Sequence, residues 1–425
     1  MHKAICLIII MLCSGVLYSQ TPKTEHDSNT AKKDSLSKRH FVRQLGNGFF
    51  PTKYLNIDLK YLVKYNQYEG LRTGLGGVTN NRFSKKYRIN SYVVYGFRDH
   101  RFKYKIGGSF RVNRATDTWV NLSYQDDLQE TGSSTFLTDK RFFSFFEPRL
   151  LNIDLFHKHI TKAISLEHKF SENLVSEFEF ATSKIEPTYD YLFNVNGESY
   201  RNFDITSVKA SFQWNPFNSN EVNENGISEG KIGYPKFTLQ VSQSIRNNIA
   251  GDFNFFKTDF RTVHRFNHNQ HSFTEATVST GLALGDTPLT HLYHAYPNNI
   301  TKETILQRFS VAGINSFETM YFNEFFSDRF TILQLKHFFK PFKITERYRP
   351  QLVLISRMAI GDMRNIERHQ NIEFGTLSKG YSEAGFEINK LLFGFGLSFA
   401  YRYGGYHLPS LADNIAAKFT FNVSL

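Results

Sequence analysis

From Tyr54 onward the sequence alternates apolar and polar residues with a period of two, over stretches far longer than an ordinary strand. Leu55, Ile57, Leu59, Tyr61, Val63 and Tyr65 alternate with Asn56, Asp58, Lys60 and Lys64, and only Leu62 breaks the polar row. Phe102, Tyr104, Ile106, Phe110 and Val112 alternate with Lys103, Lys105, Ser109 and Arg111. Phe393 to Tyr403 and Phe419 to Leu425 repeat the pattern. Period two marks a strand with two unlike faces. Soluble strands average about 5–6 residues, whereas a tilted strand crossing a bilayer needs about 9–11.

The polar row also carries full charges. Lys103, Lys105 and Arg111 share one stretch, Lys257, Asp259, Arg261 and Arg265 another, and Glu177 and Glu179 a third. Charges are seldom buried in a dry core. A barrel with its apolar row toward lipid and its charged row toward a wet lumen accommodates both faces. An open edge in lipid leaves backbone groups unpaired, so the sheet must close. We therefore expect an all-β fold, a transmembrane antiparallel β-barrel of about sixteen strands.

The candidate strands are 54–65, 70–79, 88–98, 101–113, 118–126, 160–170, 175–186 and 201–214, then 236–247, 252–266, 270–285, 328–340, 350–362, 381–390, 392–404 and 413–425. An even count puts both termini on the periplasmic side. The long connections 127–159, 187–200, 286–327 and 363–380 then lie outside the cell; 214–235 is long but periplasmic, and Asp99-His100 short but external. The stretch 286–327 is too long for a plain turn and is expected to fold back into the lumen or to carry function.

Composition agrees with this reading. The chain holds 43 Phe and 22 Tyr, yet its mean hydropathy is −0.39. So many aromatics exclude a disordered chain, and no run beyond the N-terminus approaches the roughly 18 apolar residues of a membrane helix. Residues 1–19 read as a secretory signal peptide: a basic start at Lys3, an apolar run, and small residues before Gln20. Neither Cys6 nor Cys13 has the small preceding neighbour of a lipid-anchored leader, and both lie within it. The mature chain thus has neither a disulfide nor a thiolate metal site. Residues 20–46, rich in Lys, Ser, Thr and Asn, read as a flexible basic periplasmic linker, and 47–425 as the barrel.

Several ordered blocks resemble a Bacteroidota outer-membrane barrel family whose members often bear a carboxypeptidase-regulatory-like domain. They are Tyr68-Glu69-Gly70-Leu71-Arg72-Thr73-Gly74 with Thr79-Asn80-Asn81-Arg82-Phe83; Asn315-Ser316-Phe317-Glu318-Thr319-Met320 with Asn323-Glu324-Phe325-Phe326-Ser327-Asp328-Arg329; and Tyr401-Arg402-Tyr403-Gly404-Gly405-Tyr406. That family in turn is similar to the barrel of the bacterial surface-antigen and outer-membrane assembly-factor superfamily. The resemblance implies sixteen strands with a long sixth external loop tucked into the lumen, and 286–327 holds that place. Two departures stand out: the superfamily's Arg-Gly pair at the loop tip has Met320-Tyr321 in its region, and residues 21–46 are too few for a periplasmic receiving domain.

No nucleophile elbow, phosphate loop or zinc-protease helix appears, so we assign no catalytic residue, metal or cofactor. Asp126-Asp127 reads as solvated loop-edge carboxylates rather than a hydrolytic pair at the rim, and His291, His294, His157 and His159 as packing residues rather than ligands. The net charge of +12 does not imply a nucleic-acid partner, because the basic residues sit on the inward row. Glu318, Glu324, Asp328 and Arg329 are candidates to tie the long loop to the lumen.

The expected role is non-enzymatic, in outer-membrane biogenesis or within a membrane complex. The expected partners are the outer-membrane bilayer and other outer-membrane or periplasmic proteins. The alternative is porin-like transport through a positively charged lumen, and a rim-located barrel hydrolase ranks third.

Overall fold

A computed structural model describes residues 48–134, 136, 148–222, 228–231, 233–246, 251–302, 310–345, 348–392 and 394–421. The proposed leader (1–19) and linker (20–46) lie outside them. The main sheet has 19 members. Setting aside the short pieces Phe49–Pro51 and Ser310–Val311, and joining Leu55–Asp58 to Val63–Asn66, leaves sixteen consecutive strands among the described residues.

They are β1 (Leu55–Asp58 with Val63–Asn66), β2 (Gly70–Thr79), β3 (Tyr87–Gly96), β4 (Arg101–Asn113), β5 (Thr118–Glu130), β6 (Phe156–Lys169), β7 (Leu174–Pro187) and β8 (Phe203–Trp214). Then come β9 (Lys236–Ser244), β10 (Phe255–Asn269), β11 (Ser272–Gly285), β12 (Arg329–Phe338), β13 (Gln351–Asp362), β14 (Tyr381–Leu392), β15 (Phe395–Gly404) and β16 (Ile415–Phe421). Each pairs antiparallel with the next, so the connections alternate between two ends. One end carries the long connections after β5, β7, β11 and β13. This is the fold class expected from the alternation, an antiparallel β-barrel.

The two faces are inverted relative to a soluble sheet. Ile106, Leu122, Ile164, Val208, Leu354 and Leu397 are exposed, while Lys103, Asp127, Glu177, Asp259, Arg357 and Arg402 are buried. Burying charges while exposing branched aliphatics is unfavourable in water; it is the stable arrangement when the outside is hydrocarbon.

The first strand departs from the expected row. Asp58 caps a single 3-10 turn, Leu59–Tyr61, by accepting from the Lys60 amide at 3.2 Å. The turn removes Leu59 and Tyr61 from the outward row, and Tyr61 stacks on Tyr92 of β3 with ring centroids 4.2 Å apart. An Asp placed to cap locally outcompetes the strand ladder.

Short pieces of the chain pair with part of each end strand. Phe49–Pro51 pairs antiparallel with β1, and Ser310–Val311 pairs parallel with β16, where the Ala312 amide donates to the Phe419 carbonyl at 2.7 Å. In lipid these backbone groups have no water to turn to, so covering them removes a cost of several kcal/mol per group.

The apolar core lies among the long connections, not in mid-barrel. Leu289, Leu292, Phe317, Met320, Phe325 and Phe326 of the β11–β12 connection meet Tyr191 and Phe193 of the β7–β8 connection and Met363 and Leu377 of the β13–β14 connection. One small ladder joins two of these connections, Leu192–Val195 pairing with His369–Gln370, and a second, Pro297–Asn299 with Phe317–Tyr321, folds the β11–β12 connection on itself.

Candidate functional site

The β11–β12 connection enters the barrel and is held by the inward residues of consecutive strands. Glu318 is its central anchor and is 1 % exposed. Its carboxylate accepts from Asn298 Nδ2 (2.7 Å), Ser316 Oγ (2.9 Å) and the Gly313 amide (3.0 Å), and pairs with Lys418 Nζ of β16 at 3.2 Å. Lys418 also donates to the Asn298 carbonyl. Next along the chain, the Thr319 amide and hydroxyl donate to Glu383 Oε2 of β14 at 2.7 and 2.6 Å. Arg357 of β13 donates to the other oxygen of Glu383 at 2.7 Å and to Gln334 of β12 at 2.8 Å.

Lys336 of β12 donates to the Ile314 carbonyl at 2.7 Å, and Arg402 of β15 clasps both oxygens of Glu324 at 2.6 and 3.1 Å. Four strands, β12, β14, β15 and β16, therefore grip one segment of the connection, and Arg357 of β13 braces the wall between β12 and β14. Buried charges are tolerable only when paired and hydrogen-bonded, and this cluster meets that requirement.

The neighbouring wall, beyond β11, is engaged too. Lys257 of β10 stands over the Tyr293 ring, 4.5 Å from its centroid. Asp259 accepts from Ser134 Oγ at 3.2 Å, and Arg261 lies 4.1 Å from the centroid of Phe136, both residues of the β5–β6 connection. Gly281 of β11 makes room for this packing: a Cβ there would stand 2.6 Å from the rings of both Phe330 and Tyr293.

Every inward charge named from the sequence is buried or half-buried. Glu177 is buried, Lys105 half-buried, and Glu179 bonds Lys209 of β8. Arg265 pairs with Glu275 at 3.0 Å, and Arg111 with Asp117 at 3.0 Å while lying over Trp119. Glu318 and Glu324 are loop anchors. Asp328 and Arg329 have a different place, at the barrel mouth. They bond each other at 3.1 Å, Asp328 accepts from the Arg364 amide at 2.9 Å, and Arg329 pairs with Asp362 at 2.5 Å.

Asp126 and Asp127 do not form a pair of rim carboxylates, because neighbouring strand residues point to opposite faces. Asp127 is buried, accepts from both Arg72 terminal nitrogens at 2.7 and 3.0 Å, and receives the Tyr92 hydroxyl. Nearby, Glu69 pairs with Lys103 at 2.7 Å and with Arg72 at 3.3 Å.

His294 has both ring nitrogens engaged, one with Glu130 at 2.6 Å and one accepting from the Tyr296 amide at 3.0 Å. Burial holds it below its ordinary pKa although Glu130 opposes the shift. His291 lies instead beside His157, ring centroids 6.3 Å apart. Among the described residues, no three His, Cys, Asp or Glu side chains are grouped to hold a metal ion.

Arg149, unmarked in the sequence, fastens the β5–β6 connection to the long one. It donates to the Pro297 carbonyl at 2.8 Å and pairs with Glu130 at 2.5 Å. Arg357, Glu383 and Lys418 were equally hidden among the many charges of the inward row; the one available signal was their place on that row.

A barrel with an apolar exterior and an interior gripped around its own longest connection is a barrel of the outer-membrane type. The crystal structure of BamA from Haemophilus ducreyi lacking POTRA domains 1–3 is similar to it, with a TM-score of 0.50 and 11 % identity over 94 % of this chain and 79 % of that one. At that identity the likeness is one of fold. It agrees with the outer-membrane barrel fold expected from the alternation. No protein-family model and no curated sequence matches the chain.

Proposed function

We propose that this chain is an exported, non-enzymatic outer-membrane barrel whose lumen is plugged by its own β11–β12 connection. It works in outer-membrane biogenesis or as a component of a membrane complex, in the manner of a surface-antigen-type barrel of the Bacteroidota. The observation that carries this reading is the grip of β12, β14, β15 and β16 on Ile314, Glu318, Thr319 and Glu324. A porin needs its inward charges in water. Here Lys257, Arg261, Arg357, Arg402 and Lys418 face loop atoms or lie in the network that holds them. The leader-like segment 1–19 supports export, and the BamA-like fold supports the bilayer as its site of residence.

Planar-bilayer conductance tests the proposal. The intact barrel is expected to be silent, and deletion of 286–327 to open it. Steady conductance from the intact barrel would instead establish the porin-like reading. Affinity capture from native outer membrane then addresses the role: a co-purifying partner with periplasmic receiving domains supports biogenesis.

A further inference from the structure

The outward row of the barrel carries two exposed lysines well inside neighbouring strands. Lys162 of β6 and Lys184 of β7 stand among exposed Ile160, Ile164, Phe178 and Phe180. Among the described residues, the other outward charges sit close to strand ends, as Arg329 and Asp362 do, apart from Asp126 of β5 beside them.

Register brings the two lysines together. Lys162 lies opposite Thr182, and Lys184 follows two residues along β7. Such diagonal neighbours are about 7–8 Å apart, a gap that two lysine side chains close onto one anion. Their surroundings leave them unneutralised. Lys158 and Glu186 pair with each other at 2.8 Å. Asp126 lies across Ile160 from Lys184 and pairs with neither lysine. Among the described residues the ammonium groups of Lys162 and Lys184 have no ion pair or hydrogen bond. The patch keeps two cations against one carboxylate.

Depth decides what meets them. Lys184 stands three residues from the end of β7 that leads into a long connection. Tyr124, directly opposite Lys162, stacks on Tyr104 with ring centroids 6.0 Å apart. Outward tyrosines mark the headgroup level. A charge facing hydrocarbon is unfavourable, and a lysine relieves it by extending its stem to that level. The anion that lipid headgroups supply there is phosphate, whose several oxygens accept from both lysines at once. Toward the barrel middle, Ile164 and Phe180 face each other across the strands and offer an apolar bed.

We infer that Lys162 and Lys184 form a binding site for a phosphorylated lipid of the outer leaflet, its phosphate held between the two ammonium groups and its acyl chains lying on Ile164 and Phe180. The inference rests on the reading of this chain as an outer-membrane barrel with its long connections outside.

Phosphatidic acid is the probe, titrated into phosphatidylcholine vesicles that hold the full-length barrel, with bound lipid counted by native mass spectrometry. One retained phosphatidic acid per barrel is expected, its apparent affinity lowered about tenfold by Lys162→Gln and by Lys184→Gln, each the loss of one charged hydrogen-bond donor. Lys85→Gln, on an exposed turn at the other end, should leave it unchanged. Both site variants remove a charge from the lipid face, so insertion is retained, and heat-modifiable migration on gels checks it. Diacylglycerol with the same chains is expected not to be retained, and inorganic phosphate not to displace the lipid. Unchanged affinity in both variants, or equal retention of diacylglycerol, overturns the inference and leaves two lysines that merely reach the headgroups. Displacement by inorganic phosphate would make the patch a general anion site, and dimers lost in Lys162→Gln without bound lipid would assign it to a second copy of the chain; either also overturns it. A barrel that does not insert into the vesicles at all overturns the outer-membrane reading along with it.

Discussion

Arg357 and Glu383 are each almost fully buried and bonded to one another, and Glu383 also receives the amide and hydroxyl of Thr319. A buried pair of this kind adds little net stability over a well-packed apolar pair, but breaking it strands a charge. Arg357→Met is therefore expected to destabilise the folded barrel by roughly 3–5 kcal/mol, read as a lowered denaturant midpoint, and Arg357→Met with Glu383→Met to recover much of the loss.

His369 sits in the β13–β14 connection, outside the barrel wall. Burial, aided by Arg368, pushes its pKa down from 6.5 to about 4. Between those values the unfolded chain binds the proton and the folded one does not, so stability is full above 6.5 and falls as pH drops toward 4. His369→Gln should flatten that slope in unfolding measured across the window; an unchanged slope would remove His369 as its source.

At the scale of the element, the long connection is set by opposed charges: carboxylates on the loop, cations on the wall. Glu318→Gln with Glu324→Gln leaves Lys418 and Arg402 without counter-charges and is expected to undock Phe317–Tyr321. Limited proteolysis of the lipid-embedded barrel should then cut within 286–327 on the order of tenfold faster than in the parent, the ratio that about 1.4 kcal/mol of local opening provides. Unchanged cleavage would mean that the apolar contacts of Phe317, Met320 and Phe326 hold the loop alone.

The strands themselves were legible because side-chain alternation is a local property: β2 and β4 fall at 70–79 and 101–113 as the pattern places them. The anchors were only partly so. Glu318 and Glu324 stood out through the resemblance of their loop. Their partners Lys418 and Arg402 lie 100 and 78 residues away, a separation that no period reveals.

At the scale of the whole molecule, the two faces make a direct prediction. Ile106 is exposed in mid-strand on β4, beside inward Lys105. Ile106→Arg should reduce folding into liposomes, costing roughly 2–4 kcal/mol near the bilayer midplane. Lys105→Gln, one residue away on the other face, should change it far less. Equal effects at the two positions would contradict the orientation of the sheet.

The sequence by itself determined the strands, their inside and outside, and the connection with no room to be a turn, because each follows from spacing along the chain. Only the tertiary structure decided what fills the interior. Whether Lys257, Arg357 and Lys418 line water or grip a loop depends on contacts across the barrel, and the same alternation is compatible with either. The Asp58-capped turn in β1 and the apolar cap of Tyr191, Phe193, Met320 and Met363 belong with that second class. The turn follows from a local bond that overrides the period, and the cap from residues that share no period and meet only when three connections fold together.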